Sequence, residues 1–386
     1  MKGYMIGFAV SRNGLTSEIK CPCDEKDISR VQDDLDIPYN TDTRVTVVGV
    51  DSDIEQLSVL EGQEIDLDFL NLLGRLMYGM DVGEYEQFRI GLYHECPSAL
   101  KDIINIAVST SRYSIIDPND LHKSGLDHEC DVRGGIPTSE VDITDYSTIG
   151  KQLLESGKCQ KTPYGLLYVN EENPVESFFD GKHMPAYYDC DFEVAVALVD
   201  GENEDFVFLP CSDAELQRSA NRLGASFPYD LKVRIDDTPY HNNDLIYGLM
   251  KKADVYTLNK FARLIDGFDD DENEKYVSVV SYVDRMFKDF GGLGSLDAAT
   301  KLGGVLDAFT YIPEAKDDYE LGHSIFSEHL VDEELEPYVD FARLGEDTRN
   351  NENGYFSDNG YIGLNDGEAL RTQMVQKHTD GMGGLT

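Results

Sequence analysis

Apolar residues at Leu67, Leu70, Leu73 and Met77 recur three and four apart, which places them on one face of a helix. Asp66 stands where a carboxylate can accept the free N–H groups of a first turn, and Gly79 stands where a left-handed residue would end the helix. The arrangement returns at Val255, Leu258, Phe261 and Ile265, behind Asp254 and ahead of Gly267. Laid over each other at an offset of 188, Asp66–Phe88 and Asp254–Tyr276 share nine of twenty-three residues. Composition alone would give roughly one or two. The offset also holds upstream, where Pro22-Cys23 meets Pro210-Cys211 and Arg30 meets Arg218. The chain therefore reads as a tandem duplication.

The rest of the pattern fills in each copy. Residues 5–12 form a strand, Asn13-Gly14 a turn, and Leu15–Cys21 a return strand. Asp24 caps a short helix running through Leu35, with Ile28, Val31 and Leu35 on one side, and Arg44–Val50 is a β-branched strand. A second helix follows near Glu84–Tyr93. Ser98 caps a third, whose Leu100, Ile103, Ile104 and Ala107 face inward, and Ser295 repeats that role ahead of Leu296. Val141-Asp142-Ile143 leads to Gly150 and then to Tyr164–Asn170; Val339-Asp340-Phe341 leads to Gly345 and then to Asn359–Asn365, each ending in a hairpin-like strand after a turn glycine. The expected class is α+β, a tandem duplication in which each copy holds a small α+β subdomain, an acidic helical subdomain and a second small α+β subdomain. The first copy spans 1–170 (subdomains about 1–60, 61–113 and 114–170) and the second 191–366 (about 191–248, 249–309 and 310–366). Between them, 171–190 is a linker whose prolines and Gly181 oppose a continuous helix, and whose Phe178, Phe179, Tyr187 and Tyr188 suggest that it packs. The tail from Asp366, residues 367–386, is expected to fray.

Charge changes the picture more than any motif. The chain has 386 residues and a formal net charge of −41, from 74 acidic and 33 basic residues. The excess is shared: residues 1–190 carry a net of −18 and residues 191–386 a net of −23. Such a chain should repel nucleic acid and anionic membranes and attract basic protein surfaces. It has no 18-residue apolar run, its N-terminus reads as a strand rather than a signal peptide, and its seven cysteines are scattered and odd in number; these features fit a reducing cytoplasm.

Catalytic signatures are weak. Gly291-Gly292-Leu293-Gly294 lacks the last glycine and the preceding strand of a dinucleotide site and reads as a loop before Ser295. His94-Glu95-Cys96 and His128-Glu129-Cys130 lack metal-ligand spacing and have no counterpart in the other copy. Cys21-Pro22-Cys23 is echoed only at Cys211, which favours packing over redox chemistry. Asp269–Glu274 lacks the glycine and the closing glutamate that shape a calcium loop. The expectation is no catalytic residue, no metal and no cofactor.

The acids themselves are the candidate site. DNA carries one charge per roughly 1.7 Å of axis, so 41 net charges match about 70 Å of duplex. In the first copy the candidates are Asp33, Asp34 and Asp36; Asp51, Asp53 and Glu55; Glu61, Glu64, Asp66 and Asp68; and Asp81, Glu84 and Glu86. In the second they are Asp269, Asp270, Asp271, Glu272 and Glu274; Asp317 and Asp318; and Glu333, Glu334 and Glu336. Carboxylates at intervals on a folded scaffold can imitate a phosphate ladder, and counterion release would favour their entry into a basic cleft.

The order of subdomains, the DxxxLN…RL…G segment, Ser98–Asn105 before Tyr113, Asp318-Tyr319-Glu320-Leu321-Gly322 and the closing Tyr/Asn-Gly strand together resemble the ArdA antirestriction proteins, DNA mimics of conjugative plasmids, transposons and phages. The resemblance covers about residues 4–170 and 192–365. It implies elongated three-subdomain copies that occupy the DNA groove of type I restriction–modification enzymes, formed by their specificity and methylase subunits, and block them without acting as enzymes. The family usually carries one copy and pairs as a homodimer; this chain fuses two. The best matches to the family's antirestriction motif, Ile136–Gly150 and Leu335–Gly345, are both diverged. Other readings remain: a mimic aimed at another DNA-binding defence or nucleoid protein, an acidic protein of a high-salt organism whose charge serves solubility, and an enzyme with an unrecognised carboxylate site.

Overall fold

The hairpin Ile6–Arg12 (β1) and Leu15–Cys21 (β2) pairs from Ile6 with Cys21 to Arg12 with Leu15. Its turn residues Asn13 and Gly14 have φ of 53° and 85°, the left-handed pair that a two-residue hairpin needs. This computed structural model describes residues 4–39, 41–141, 143–187, 192–328, 333–357 and 359–375. The chain is mixed α+β with small antiparallel sheets. It divides into two compact units: Met1–Asp191, Val199–Phe206 and Ser212–Leu231 form unit 1, and Phe192–Leu198, Val207–Cys211 and Lys232–Thr386 form unit 2.

After β2, Asp24 caps helix α1 (Glu25–Asp34) by accepting from the Asp27 N–H, and Ile28, Val31 and Leu35 are buried. Strand β3 (Arg44–Asp51) and strand β4 (Glu64–Asp66) complete a sheet of order β2-β1-β3-β4. Helix α2 (Leu67–Gly79) follows directly, capped by Asp66, with Leu67, Leu70, Leu73 and Met77 fully buried. Helix α4 (Leu100–Ala107) packs against it, and helix α3 (Val82–Glu95) packs against α4. Strand β5 (Tyr113–Ile116), helices α5 (Leu121–Arg133), α6 (Thr138–Val141) and α7 (Ser147–Glu155), and the hairpin β6 (Gln160–Thr162) and β7 (Gly165–Val169) make a sheet of order β5-β7-β6 beside a helix pair. The stretch after β7 contains no helix among its described residues and is packed as its aromatics suggested. Phe179 is 1% exposed and sits edge-on to Phe69 at 4.8 Å. The Asn105 side chain accepts from its N–H (2.7 Å) and donates to its carbonyl (3.2 Å). Tyr188 lies outside the described residues.

The remaining elements follow in chain order. They are β8 (Val194–Asp200), β9 (Asn203–Leu209), α8 (Asp213–Arg222), β10 (Lys232–Asp237), α9 (Asp244–Met250), α10 (Val255–Ile265), α11 (Asp270–Met286) and α12 (Leu296–Leu302). After them come β11 (Phe309–Ile312), α13 (Asp318–Glu328), α14 (Phe341–Asn351), β12 (Tyr355–Ser357), β13 (Gly360–Leu364) and α15 (Gly367–Val375). Sheet orders β10-β8-β9 and β11-β13-β12 repeat the neighbours seen in β3-β1-β2 and β5-β7-β6.

Two contacts recur with the same chemistry. The Asn71 side chain accepts from the Cys23 N–H at 2.8 Å and donates to the Cys23 carbonyl at 3.1 Å; Asn259 does both to Cys211 at 2.9 Å. A buried amide with both ends bonded clamps the strand exit to the helix. Gly125 and Gly150 bring α5 and α7 together: a Cβ on either would lie 2.1 Å from the Tyr146 carbonyl or 2.0 Å from that of Leu121. Gly322 and Gly345 repeat this between α13 and α14, at 2.0 Å from the Phe341 carbonyl and 1.8 Å from that of Asp318.

Three expectations are corrected. Gly79 and Gly267 are not left-handed, because the chain leaves α2 extended through Met80 (φ −67°, ψ 136°) to reach the next cap. Ser98 does not cap α4: the cap position falls on Ala99, which cannot supply an oxygen, whereas Ser295 does cap α12. The tail does not fray at Asp366. That residue caps α15 by accepting from the Glu368 and Ala369 N–H groups at 3.0 Å, and Leu370 is buried. Residues 376–386 lie outside the described residues.

Candidate acidic surface

Most of the candidate acids stand in solvent. Asp33, Asp34, Asp36, Asp51, Asp53, Glu55, Glu61, Glu64, Asp81 and Glu84 are exposed in unit 1, as are Asp269, Asp270, Asp271, Glu272, Glu274, Asp317 and Glu336 in unit 2. Several are held by groups that carry no charge. Tyr39 donates to Asp33 at 2.7 Å, Tyr4 to Asp51 at 2.8 Å, and Tyr85 to Asp53. A phenol fixes a carboxylate without neutralising it, and the acceptors push the hydroxyls of Tyr39 and Tyr85 above the ordinary tyrosine range, burial adding the larger share at Tyr85.

The acidic stretches after α2 and α10 turn out to be helix starts. Asp81 accepts from the Glu84 N–H at 2.9 Å while Glu84 accepts from the Asp81 N–H at 2.9 Å. Asp269 and Glu272 make the same capping box, at 2.8 and 3.3 Å. Asp270 and Asp271 add charge to the first turn of α11, where the helix dipole favours it.

The structure removes Asp66 and Asp68 from this surface. They are 7% and 8% exposed, because two arginines of α8, also in unit 1, reach them. Arg218 Nε donates to Asp68 at 2.9 Å while its Nη1 and Nη2 donate to the two oxygens of Glu25 at 2.9 and 2.7 Å. Arg222 Nη1 donates to Asp68 at 2.6 Å, and its Nε and Nη2 donate to Asp205 at 2.9 Å. Burial alone would raise the Asp68 carboxyl, but the two guanidiniums hold it down at about 2. Asp66, buried beside Asp68 and less well served, is pushed up to about 6. On α8, burial and Asp68 push the half-buried Glu215 to about 7. Glu86 and Asp318 are half-buried and neutralised by Arg89 and by Arg349 (2.7 Å), so they offer less charge than expected. Glu333 and Glu334 fall on the 3-10 turn Glu333–Tyr338, and their side chains lie outside the described residues.

The structure also adds acids that the sequence pattern passed over. Asp127 and Asp131 on α5 share the neighbourhood of Asp81 and Glu84. Burial pushes Asp131 up to about 7, Gln87 Nε2 opposes this by donating to it at 2.7 Å, and Asp127, Glu84 and Asp81 reinforce it. Their spacing on an amphipathic helix was the available signal, but Asp131 gains its meaning from α3.

No group of His, Cys, Asp and Glu among the described residues could hold a metal ion. His128 Nδ1 contacts Ser114 Oγ at 2.8 Å, and burial holds its imidazole below the ordinary range. Gly291, Gly292 and Gly294 are left-handed loop residues ahead of α12. Among the described residues no helix is long and apolar enough to cross a membrane. Comparison with family models, with curated proteins and with solved structures finds no match to this chain.

Proposed function

We propose that this chain is a DNA mimic of the ArdA kind, built from two tandem three-subdomain copies, which occupies the basic DNA groove of a type I restriction–modification enzyme in the cytoplasm and inhibits it. The observation that carries the reading is the way the exposed carboxylates are held. Asp33 and Asp53 are fixed by phenols, and Asp81, Glu84, Asp269 and Glu272 by helix-start N–H groups. DNA offers a basic groove fixed and uncompensated negative charge. Ordering carboxylates without pairing them to cations reproduces both properties, whereas a solubility device needs only the charge. The recurrence of the capping boxes 188 residues apart supports a duplicated working surface.

The test is inhibition of a purified type I restriction–modification enzyme, with and without competitor DNA, at two salt concentrations. Inhibition should be relieved by DNA and should weaken as salt rises. Replacing Asp269, Asp270 and Asp271 by Asn and Glu272 by Gln should weaken it further, with the melting temperature almost unchanged. Unchanged potency on neutralisation would move the working surface elsewhere. No inhibition by the intact chain would point to another DNA-binding target.

A further inference from the structure

Unit 1 contains a cleft of about 300 Å³ between β3, the start of α2, the loop at Gly181 and the last turns of α8. Its wall runs against the composition of the chain. Arg44, Lys182, Arg218 and Arg222 line it, against the carboxylates of Asp42 and Asp66. Asp42 is taken by Arg44, whose Nε donates to it at 2.6 Å. Lys182 has no ion-pair partner among the described residues. Thr43 is 1% exposed, and its Oγ1 has no hydrogen-bond partner among the described residues. The Asn221 Nδ2 is likewise buried and unpaired. Its orientation is fixed by Gln217, whose Nε2 donates both to Asn221 Oδ1 at 3.0 Å and to the Ser226 carbonyl at 2.9 Å.

Donors are therefore in surplus. A guanidinium carries five N–H groups, and the carboxylates behind Arg218 and Arg222 engage each Nη once and each Nε, with Arg222 Nε shared between both Asp205 oxygens, which leaves a second N–H on each Nη. Buried donors without acceptors are costly, and a site that leaves several of them on one cleft wall is suited to an acceptor-rich ligand. The long-range repulsion of the acidic chain is screened beyond about 8 Å at physiological salt.

We propose that this cleft binds a small oxyanion, the phosphate or carboxylate group of a small molecule, with Lys182, Asn221 Nδ2, Thr43 Oγ1 and the free arginine edges as donors. The site is separate from the acidic surface and does not depend on its role. Asp66 tunes it. This carboxylate is faced by Asp68 on its own helix, by Arg44 on β3 and by Arg218 and Arg222 on α8. An anion adds a negative neighbour, so its arrival draws a proton onto Asp66 and binding tightens as pH falls.

Calorimetric titration of the full chain at constant ionic strength tests this, at about pH 5.5 and about pH 7.5. Sulfate serves as the tetrahedral probe and acetate as the carboxylate probe, since both keep their charge across that range. One saturable site for at least one probe, tighter at the lower pH, is expected, and the preferred probe assigns the headgroup. Lys182→Ala should weaken binding by about tenfold or more. Lys182→Gln, which keeps the stem, should behave alike, and Lys151→Ala, at a 64% exposed lysine, should change nothing. Asp66→Asn keeps a capping oxygen and should bind more tightly with little pH dependence. Absence of saturable binding by both probes, wild-type affinity in the folded Lys182 variants, or a wild-type pH profile in Asp66→Asn would each overturn the proposal.

Discussion

Asp68 and Arg218 show how far a residue's role depends on a partner that its local pattern does not reveal. Both Asp66 and Asp68 sit at a helix start, where acids are ordinary, and Asp66 does cap α2. Their burial comes from arginines about 150 positions away. Removing one partner strands a buried charge, so Arg218→Ala should lower unfolding stability by about 3–5 kcal/mol in urea titration. Arg30→Ala, at the position 188 residues earlier, should cost about 0–1 kcal/mol, because that side chain is 49% exposed beside Asp34. Titration offers a second check at this scale. Asp66 at about 6, and Glu215 and Asp131 at about 7, hold their protons more tightly folded than unfolded. The folded chain therefore carries more protons than the unfolded chain from roughly pH 4 to 7, and stability should fall as pH rises through that window. His128 opposes this near pH 6, one group against three. Asp68, held at about 2, gives stability that is lost only below roughly pH 4. Melting temperature should thus peak near about pH 5 and be lower at about pH 8; a rise between them would contradict these assignments.

At the scale of elements, amphipathic spacing and turn chemistry located most helices and strands. β1, its Asn-Gly turn and β2 stand where the alternation and turn residues place them, because a hairpin is a local structure. Termini were harder to read, since a helix end depends on where the chain must go next. Gly79 is followed by the cap of α3 rather than by a left-handed exit, and Asp81 and Asp269, candidate surface acids from the sequence, cap the helices that follow. Asp269→Asn should keep the cap and its stability, while Asp269→Ala should cost about 1 kcal/mol in thermal or urea unfolding. Asn71→Ala should cost about 1–3 kcal/mol by leaving the Cys23 N–H and carbonyl unpaired, and Asn259→Ala should cost less, because Arg263 also donates to the Cys211 carbonyl at 2.6 Å. Gly345→Ala should be destabilising by roughly 1–3 kcal/mol or more, since its Cβ would meet backbone rather than a flexible side chain.

For the whole molecule, the sequence repeat and the compact units do not share a boundary. Helix α8 lies beyond the expected linker but belongs to unit 1, where it supplies Arg218 and Arg222. A fragment ending at residue 187 should therefore unfold at lower urea than unit 1 does in the intact chain, because Asp68 loses both of its cations. Equal midpoints would show that α8 is dispensable. Net charge, the 188-residue echo, the buried face of α2 and the absence of common catalytic motifs were all legible in one dimension, because composition and periodicity are properties of the chain itself. Which acids meet solvent was not. Tyr39, Tyr4 and Tyr85 fix carboxylates 6, 47 and 32 positions away, and the α8 arginines withdraw two others into the interior. Sequence determined how much negative charge the protein carries and that the stretch Asp66–Phe88 is echoed 188 positions later. Tertiary structure decided which carboxylates remain unpaired at the surface, because pairing and burial depend on distances that only the folded chain brings into range.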